Sequence, residues 1–167
     1  GGDKNYENLR YEGFGISNVA FIIETLTDNK NRSASSIRTV LQKNGGRLGE
    51  SGSTTHLFYN CGVIHINKKN FTEEKVFEMA TNFGAKDCFH LESAHEIVSE
   101  KEDFYKIKSL FEKKIDNFEY SGIEWRALSY LNLSKEQNEK IVEILESLEE
   151  LDDVQNIYTN ASLGNTK

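Results

Sequence analysis

Five basic side chains lie close together in a segment that contains no acidic residue. They occur between positions 29 and 49, whereas the whole chain has 20 Lys and Arg against 27 Asp and Glu and a formal net charge of −7. A local excess of positive charge on an acidic protein is where a polyanion would dock. The segment therefore predicts a nucleic-acid-binding site. Its predicted contact residues are Lys30, Arg32, Arg38, Lys43 and Arg47.

Both ends of a helix are marked within this segment. Asn31 or Ser33 can cap its start, and Gly45-Gly46 can end it in a left-handed conformation. Arg32 and Lys43 are eleven positions apart, so on a helix they point within about 20° of the same direction. The opposite, apolar face comprises Ile37, Val40 and Leu41. The pattern predicts that the cations point away from the core.

The start of this helix is a candidate phosphate site, because the first N–H groups of a helix have no partner within it. We expect the site at residues 32–35. Tyr11 and Phe14, near an earlier turn, are candidates for stacking on a base. The alternative is that the cations only keep an exposed face solvated, which is ordinary for the spacing of Arg38 and Lys43.

The remaining reactive side chains predict neither catalysis nor a metal site. The chain has no GxSxG or HExxH motif. Its glycines between positions 45 and 52 lack the GxxxxGK[ST] spacing and predict a helix end followed by a turn. Cys61, His65, Cys88 and His90 could share a metal if their strands were adjacent, but their spacing matches no zinc pattern. We expect no enzyme activity, no cofactor, no metal and no small-molecule substrate.

Composition is typical of a folded protein in a reducing compartment. Hydrophobic residues make up 37% of the chain, with 10 Phe, 7 Tyr and 1 Trp, enough for a core. The two cysteines form no CxxC pair, which favours free thiols. No apolar run approaches the roughly 20 residues that cross a bilayer. We expect a cytoplasmic location, or an organelle matrix in a eukaryote, and no membrane partner.

Periodicity predicts mixed strands and helices. Strands are expected at residues 6–13, 19–27, 57–59, 62–67 and 154–159, with a hairpin at 88–91 and 96–98. Residues 118–131 suit one long strand or two. Three further helices are expected to follow Thr72, Ser99 and Ser134. Ser99 with Glu102, and Ser134 with Gln137, have the spacing of capping boxes.

Four motifs, in order, resemble the YebC family: YEGFG at 11–15, LTDNKNR at 26–32, GGRLG at 45–49 and DDVQNIYTN at 152–160. The resemblance runs from about residue 5 to residue 161. Family members are described as transcriptional regulators, and a mitochondrial relative activates translation of cytochrome c oxidase subunit I. The family's basic N-terminal helical domain has no counterpart in this sequence. The sequence also departs from the family at Ile16-Ser17-Asn18, where a Pro-Gly pair is usual.

The resemblance implies an α+β fold of two ferredoxin-like βαββαβ domains, one inserted into the other. The outer domain would comprise residues 1–60 and 126–167, and the inserted domain residues 61–125. The outer domain would use strands at 19–27, 55–60, 127–132 and 154–159 and helices at 32–44 and 135–150. No proline- or serine-rich linker marks the boundaries.

The resemblance also implies a non-enzymatic regulator of gene expression, in the first instance a transcriptional regulator that binds promoter DNA. The alternative is a ribosome-associated translation factor that contacts ribosomal RNA. The acidic composition lacks the basic footprint of a free-standing DNA-binding protein. A third alternative is an interaction module whose acidic helix repels nucleic acid or meets a basic protein. That acidic surface comprises Glu136, Glu139, Glu143, Glu146, Glu149, Glu150, Asp152 and Asp153.

Overall fold

The computed structural model describes residues 5–163 and contains two four-stranded sheets with four α-helices. The chain divides into two compact units: an outer unit, formed by residues up to Tyr59 and from Arg126 onward, and an inner unit, Asn60–Trp125. Within residues 5–163, no helix has the length and apolarity needed to cross a bilayer. In chain order the elements are β1 (Glu7–Phe14), β2 (Ala20–Thr27), α1 (Lys30–Lys43), β3 (Arg47–Gly49), β4 (Phe58–Ile66), α2 (Glu73–Phe83), β5 (Asp87–His90), β6 (His95–Glu100), α3 (Phe104–Glu112), β7 (Tyr120–Ala127), α4 (Lys135–Glu149) and β8 (Val154–Thr159).

The inner unit has the βαββαβ order of a ferredoxin-like domain, with the strand order β5-β6-β4-β7. Helices α2 and α3 bury one apolar face each against the sheet. The rings of Phe83 and Phe111 meet edge to face, with centroids 4.9 Å apart. The core comprises Ile64, Ile66, Val76, Met79, Ala80, Ile97, Phe104, Ile107, Phe111 and Ile115.

The outer unit has the strand order β3-β1-β2-β8, and each neighbouring pair is antiparallel. Because side chains alternate along a strand, Phe21 and Ile23 of β2 point to the face that carries the helices. There they pack with Ile37 and Leu41 of α1, and with Ile144 of α4, in one buried cluster. The α+β fold class is confirmed: both units combine a four-stranded antiparallel sheet with helices, consistent with two ferredoxin-like domains.

The outer strands predicted at 55–60 and 127–132 are wrong. A short 3-10 turn occupies Thr55–Leu57, and β4, which begins immediately after it, pairs with β6. After β7, residue 131 makes only an isolated bridge to residue 161. Strands β1 and β3, instead of the two predicted strands, form the outer sheet together with β2 and β8. At residues 55–57 the N–H of Thr55 bonds to Glu12 and the N–H of Leu57 bonds to the Thr54 carbonyl, so this segment forms a turn instead of a strand.

Of the caps predicted for α2, α3 and α4, two are present and one is not. Thr72 Oγ1 accepts a bond from the N–H of Lys75 at the start of α2. Ser134 and Gln137 form the complete capping box of α4. Ser99 does not cap α3, because it lies in strand β6, where it pairs with Gly62, and α3 begins only after a 3-10 turn at Lys101–Asp103. Spacing alone therefore could not distinguish the start of a helix from the end of a strand.

Candidate nucleic-acid interface

The start of α1 is fixed by Asn29 rather than by Asn31 or Ser33, which lie inside the helix. Asn29 Oδ1 accepts a hydrogen bond of 3.0 Å from the N–H of Arg32. Its carbonyl accepts a bond of 3.1 Å from the N–H of Ser33. Two of the N–H groups that a phosphate would need are therefore already paired.

Two carboxylates hold the guanidinium of Arg32 at the same end of the helix. Arg32 Nε donates to Asp153 Oδ2 at 3.1 Å, and Nη2 donates to Asp153 Oδ1 and to Asp28 Oδ1, both at 2.8 Å. The Ser33 hydroxyl also donates to Asp153 Oδ2, at 2.7 Å. Because one cation faces two anions, these side chains carry a net negative charge.

This pairing stabilises the ionised forms of both partners. The hydrogen bonds from Arg32, and then that from Ser33, hold the pKa of Asp153 below its ordinary value, although partial burial opposes them. The bonds to Asp153 and Asp28 raise the pKa of Arg32. A helix start favours an anion, and here Asp153 is that anion. These contacts already engage part of the phosphate site predicted at residues 32–35, which stays a prediction.

Three predicted cations remain unpaired on α1. Lys30, Arg38 and Lys43 are exposed, and in the part of the chain that the structure describes none of them joins a salt bridge. The helix has 14 residues, which makes it about 20 Å long. Arg38 and Lys43 are five positions apart and so point about 140° from one another. The three cations line two sides of the helix.

Arg47 lies on the opposite face of the outer sheet from α1. In the β1–β3 pairing, Arg47 is opposite Phe14 and Gly49 is opposite Glu12. Leu48 packs against the helix-covered core, so the alternation of a strand directs Arg47 to the other face. Its guanidinium carbon lies 4.5 Å from the centroid of the Phe14 ring.

The predicted compact cluster of five cations is therefore not formed. Arg32 is neutralised, three cations line α1, and Arg47 stands on the other side of the sheet. Sequence reasoning placed Asp153 on the acidic surface and missed its pairing with Arg32, because the two residues lie 121 positions apart. It also grouped Arg47, which follows the helix in the glycine-rich segment, with the cations of the helix. The position of Arg47 could have been predicted from Leu48, the apolar residue of the GGRLG motif. If this segment is a strand and Leu48 points to the core, its neighbour Arg47 must point to the opposite face.

Glu12, in the YEGFG motif, is a buried carboxylate that sequence reasoning also missed. Only 2% of its surface is exposed. It accepts bonds from the N–H groups of Gly52 (2.6 Å), Thr54 (2.8 Å) and Thr55 (2.8 Å) and from the Thr54 hydroxyl (2.9 Å). Burial alone would raise the pKa of Glu12, but these four bonds lower it to about 2. Glu12 thus anchors the loop between β3 and β4.

The glycines after α1 have a packing role. Gly45 takes the left-handed conformation, with φ of 81°, just after the end of the helix, as predicted. At Gly46 the backbone passes so close to the Phe14 carbonyl that a side chain would overlap it. Because the carbonyl belongs to the backbone, it cannot move aside. The glycines let β3 dock on β1.

Residues 6–161 match the protein family described as "TACO1/YebC second and third domain". The chain belongs to this family. Two relatives are named probable transcriptional regulatory proteins. One, from Pelagibacter ubique, is 45% identical over 163 residues, which cover 98% of this chain and 68% of the relative. The other, from Zymomonas mobilis, is 43% identical over 161 residues, which cover 96% of this chain and 65% of the relative.

A solved structure has the same fold as this chain. The crystal structure of the conserved hypothetical protein Aq1575 from Aquifex aeolicus superposes with a TM-score of 0.86 at 36% identity. The match covers 96% of this chain and 66% of that protein. The chain thus spans about two thirds of each of these three proteins.

In this YebC-family chain, the four sequence motifs bond to one another. LTDNKNR and DDVQNIYTN meet through Arg32 and Asp153. YEGFG and GGRLG meet through the pairing of Phe14 with Arg47. The last motif also closes on β2, where Asn160 Oδ1 accepts a bond of 2.8 Å from the N–H of Ala20. Much of the sequence that resembles the family therefore stabilises the outer unit.

The other candidate side chains are engaged in structural contacts. The Tyr11 hydroxyl donates to the Lys30 carbonyl at 3.0 Å, so Tyr11 braces α1 instead of facing outward. His65 Nε2 lies 2.8 Å from a Glu96 carboxylate oxygen, and His90 Nδ1 lies 2.8 Å from His95 Nδ1. Within residues 5–163, no group of three His, Cys, Asp or Glu side chains could hold a metal ion.

Proposed function

We propose that this chain is part of a YebC-type, non-enzymatic regulator of gene expression that contacts nucleic acid through the exposed cations of α1. In the first instance we propose a transcriptional regulator acting on promoter DNA in the cytoplasm. One observation carries the proposal: Lys30, Arg38 and Lys43 stay unpaired and exposed within the described residues of a chain whose net charge is −7. The names of the relatives support the same class of function.

The charge distribution sets how strongly this chain alone should bind. Each phosphate that a cation neutralises contributes about −0.9 to the slope of log K against log salt on duplex DNA. The three α1 cations would give a slope of about −3. Arg32 adds nothing, since Asp28 and Asp153 already neutralise it. We expect weak, salt-sensitive binding by this chain alone.

The second candidate is a ribosome-associated translation factor, and the position of Arg47 favours it. Arg47 lies on the other face of the outer sheet from α1, so a ligand that curves around the edge of the sheet suits both sets of cations better than a straight duplex. Folded ribosomal RNA surrounds the proteins it binds and offers unpaired bases as well as phosphates. The domain boundaries near residues 60 and 126 stay part of the proposal, with α1 and Arg47 both in the outer domain.

A charge-reversal variant tests both candidates. Lys30→Glu, Arg38→Glu and Lys43→Glu are combined, and a matched control carries Lys75→Glu, Lys106→Glu and Lys113→Glu, three exposed lysines of the inner unit with the same total charge change. Duplex DNA binding and co-sedimentation with ribosomes are measured for both.

Selective loss of DNA binding in the α1 variant supports the first candidate, and selective loss of ribosome binding supports the second. Equal behaviour of the α1 variant and the control contradicts the proposed contact surface. Absence of binding to either target by the native chain at low salt favours the interaction module in which the acidic helix meets another protein.

A further inference from the structure

We propose that Arg47 and Phe14 form a stacking site for one unpaired nucleobase. The proposal rests on the proposed nucleic-acid function and names the ligand of the sheet face that carries Arg47. Arg47 sits on β3 at the edge of the outer sheet, and its guanidinium lies over the Phe14 ring of the neighbouring strand. An unpaired base would stack on the outer side of the guanidinium, so that Arg47 lies between the base and Phe14.

A flat ligand can reach Arg47 through its exposed guanidinium. The neighbouring glycines open no further space, because the Phe14 carbonyl lies where a Gly46 side chain would be and Ser53 lies where a Gly49 side chain would be. The Arg47 side chain is exposed, and among residues 5–163 no carboxylate forms an ion pair with it. Phe14 thus orients the guanidinium from one side while the other side stays accessible. Planar stacking on bases is a property of arginine that lysine does not share.

The flat guanidinium favours a base over a phosphate at this position. Glu12 lies on the same face of the sheet, but it is buried, and Arg10 on that face lies 3.6 Å from its carboxylate, so these two charges offset one another. A flat base can stack on the side of the guanidinium that Phe14 does not cover, whereas a phosphate has no flat face to stack. The site therefore suits unpaired bases of a single strand, because bases in a duplex are stacked on one another.

A charge-conserving substitution separates stacking from simple attraction. Arg47→Lys keeps the positive charge and removes the planar group, and Arg38→Lys is the matched control on α1. The probe is a single-stranded oligouridylate RNA carrying one 2-aminopurine, a base analogue whose fluorescence is quenched on stacking. Uridines stack little on one another, so the free probe is not already quenched. A duplex DNA of the same length is measured in parallel. Phe14→Leu is a second variant, and circular dichroism checks that each variant is folded.

We expect Arg47→Lys to lower affinity for the single strand about tenfold and to abolish the quenching, since stacking on one side chain is worth about that factor. Arg38→Lys should change neither. Unchanged quenching in Arg47→Lys overturns the inference, as does an equal loss of duplex binding, which would indicate a phosphate contact. If the native chain binds the duplex without quenching the probe, this inference fails and the proposed function stands; if it binds neither, both fail.

Discussion

The buried carboxylate of Glu12 gives the most direct energetic prediction. Its ordinary pKa of 4.5 falls to about 2 in the folded chain, and at about 1.4 kcal/mol for each pH unit this corresponds to about 3 kcal/mol of folding free energy. Because the folded pKa is the lower one, the ionised form is favoured by folding. This stability is fully present above pH 4.5 and is lost as the pH falls from 4.5 towards 2.

Replacing Glu12 with glutamine tests this value. Glu12→Gln keeps the shape but removes the charge that three N–H groups and one hydroxyl bond to. We expect the free energy of unfolding in urea to fall by about 3 kcal/mol at pH 7, and the difference from the native chain to narrow between pH 4.5 and 2.5. Glu50→Gln, an exposed residue of the same loop, is the control and should change little. A constant difference across this pH range would refute the reasoning.

Three further variants test the bracing contacts. Asp153→Asn should lower the free energy of unfolding by about 1 kcal/mol because it breaks the bonds to Arg32, while Asp152→Asn should not; equal urea midpoints would contradict this. Gly46→Ala should lower the free energy of unfolding by about 2 kcal/mol or more, because the new side chain overlaps a backbone carbonyl. Gly52→Ala should lower it by about 1 kcal/mol, because only the positive φ is strained there. A lower thermal midpoint for Gly52→Ala than for Gly46→Ala would contradict this prediction. Ser134→Ala should cost about 1 kcal/mol by loss of the α4 cap, visible as a lower thermal midpoint, and an unchanged midpoint would exclude the cap as a stabilising contact.

Local patterns predicted the local structure well. The last strand, predicted at 154–159, is β8 (Val154–Thr159), and the capping box at Ser134 starts α4. These elements are specified by residues a few positions apart. The short strand β3 was not predicted. It has three residues, of which only Leu48 is apolar, and so few positions show no alternation of apolar and polar residues.

The candidate site was harder to predict because its electrostatics depend on residues distant in the chain. Asp153 reaches Arg32 only after α4 and β8 have assembled on the outer sheet. Counting charges between positions 29 and 49 could not include it. Both partners lie in family motifs, since DDVQNIYTN contains Asp153 and LTDNKNR contains Arg32. No sequence rule, however, states which charged residues pair.

The most direct test of the account compares two single neutralisations of the basic segment. Duplex DNA binding by the native chain, Lys43→Gln and Arg32→Gln is measured over a range of salt concentrations, with folding checked for each. We predict that Lys43→Gln makes the slope of log K against log salt shallower by about 1, whereas Arg32→Gln leaves it unchanged because its charge is already neutralised. An unchanged slope for Lys43→Gln, or a shallower slope for Arg32→Gln, would contradict it.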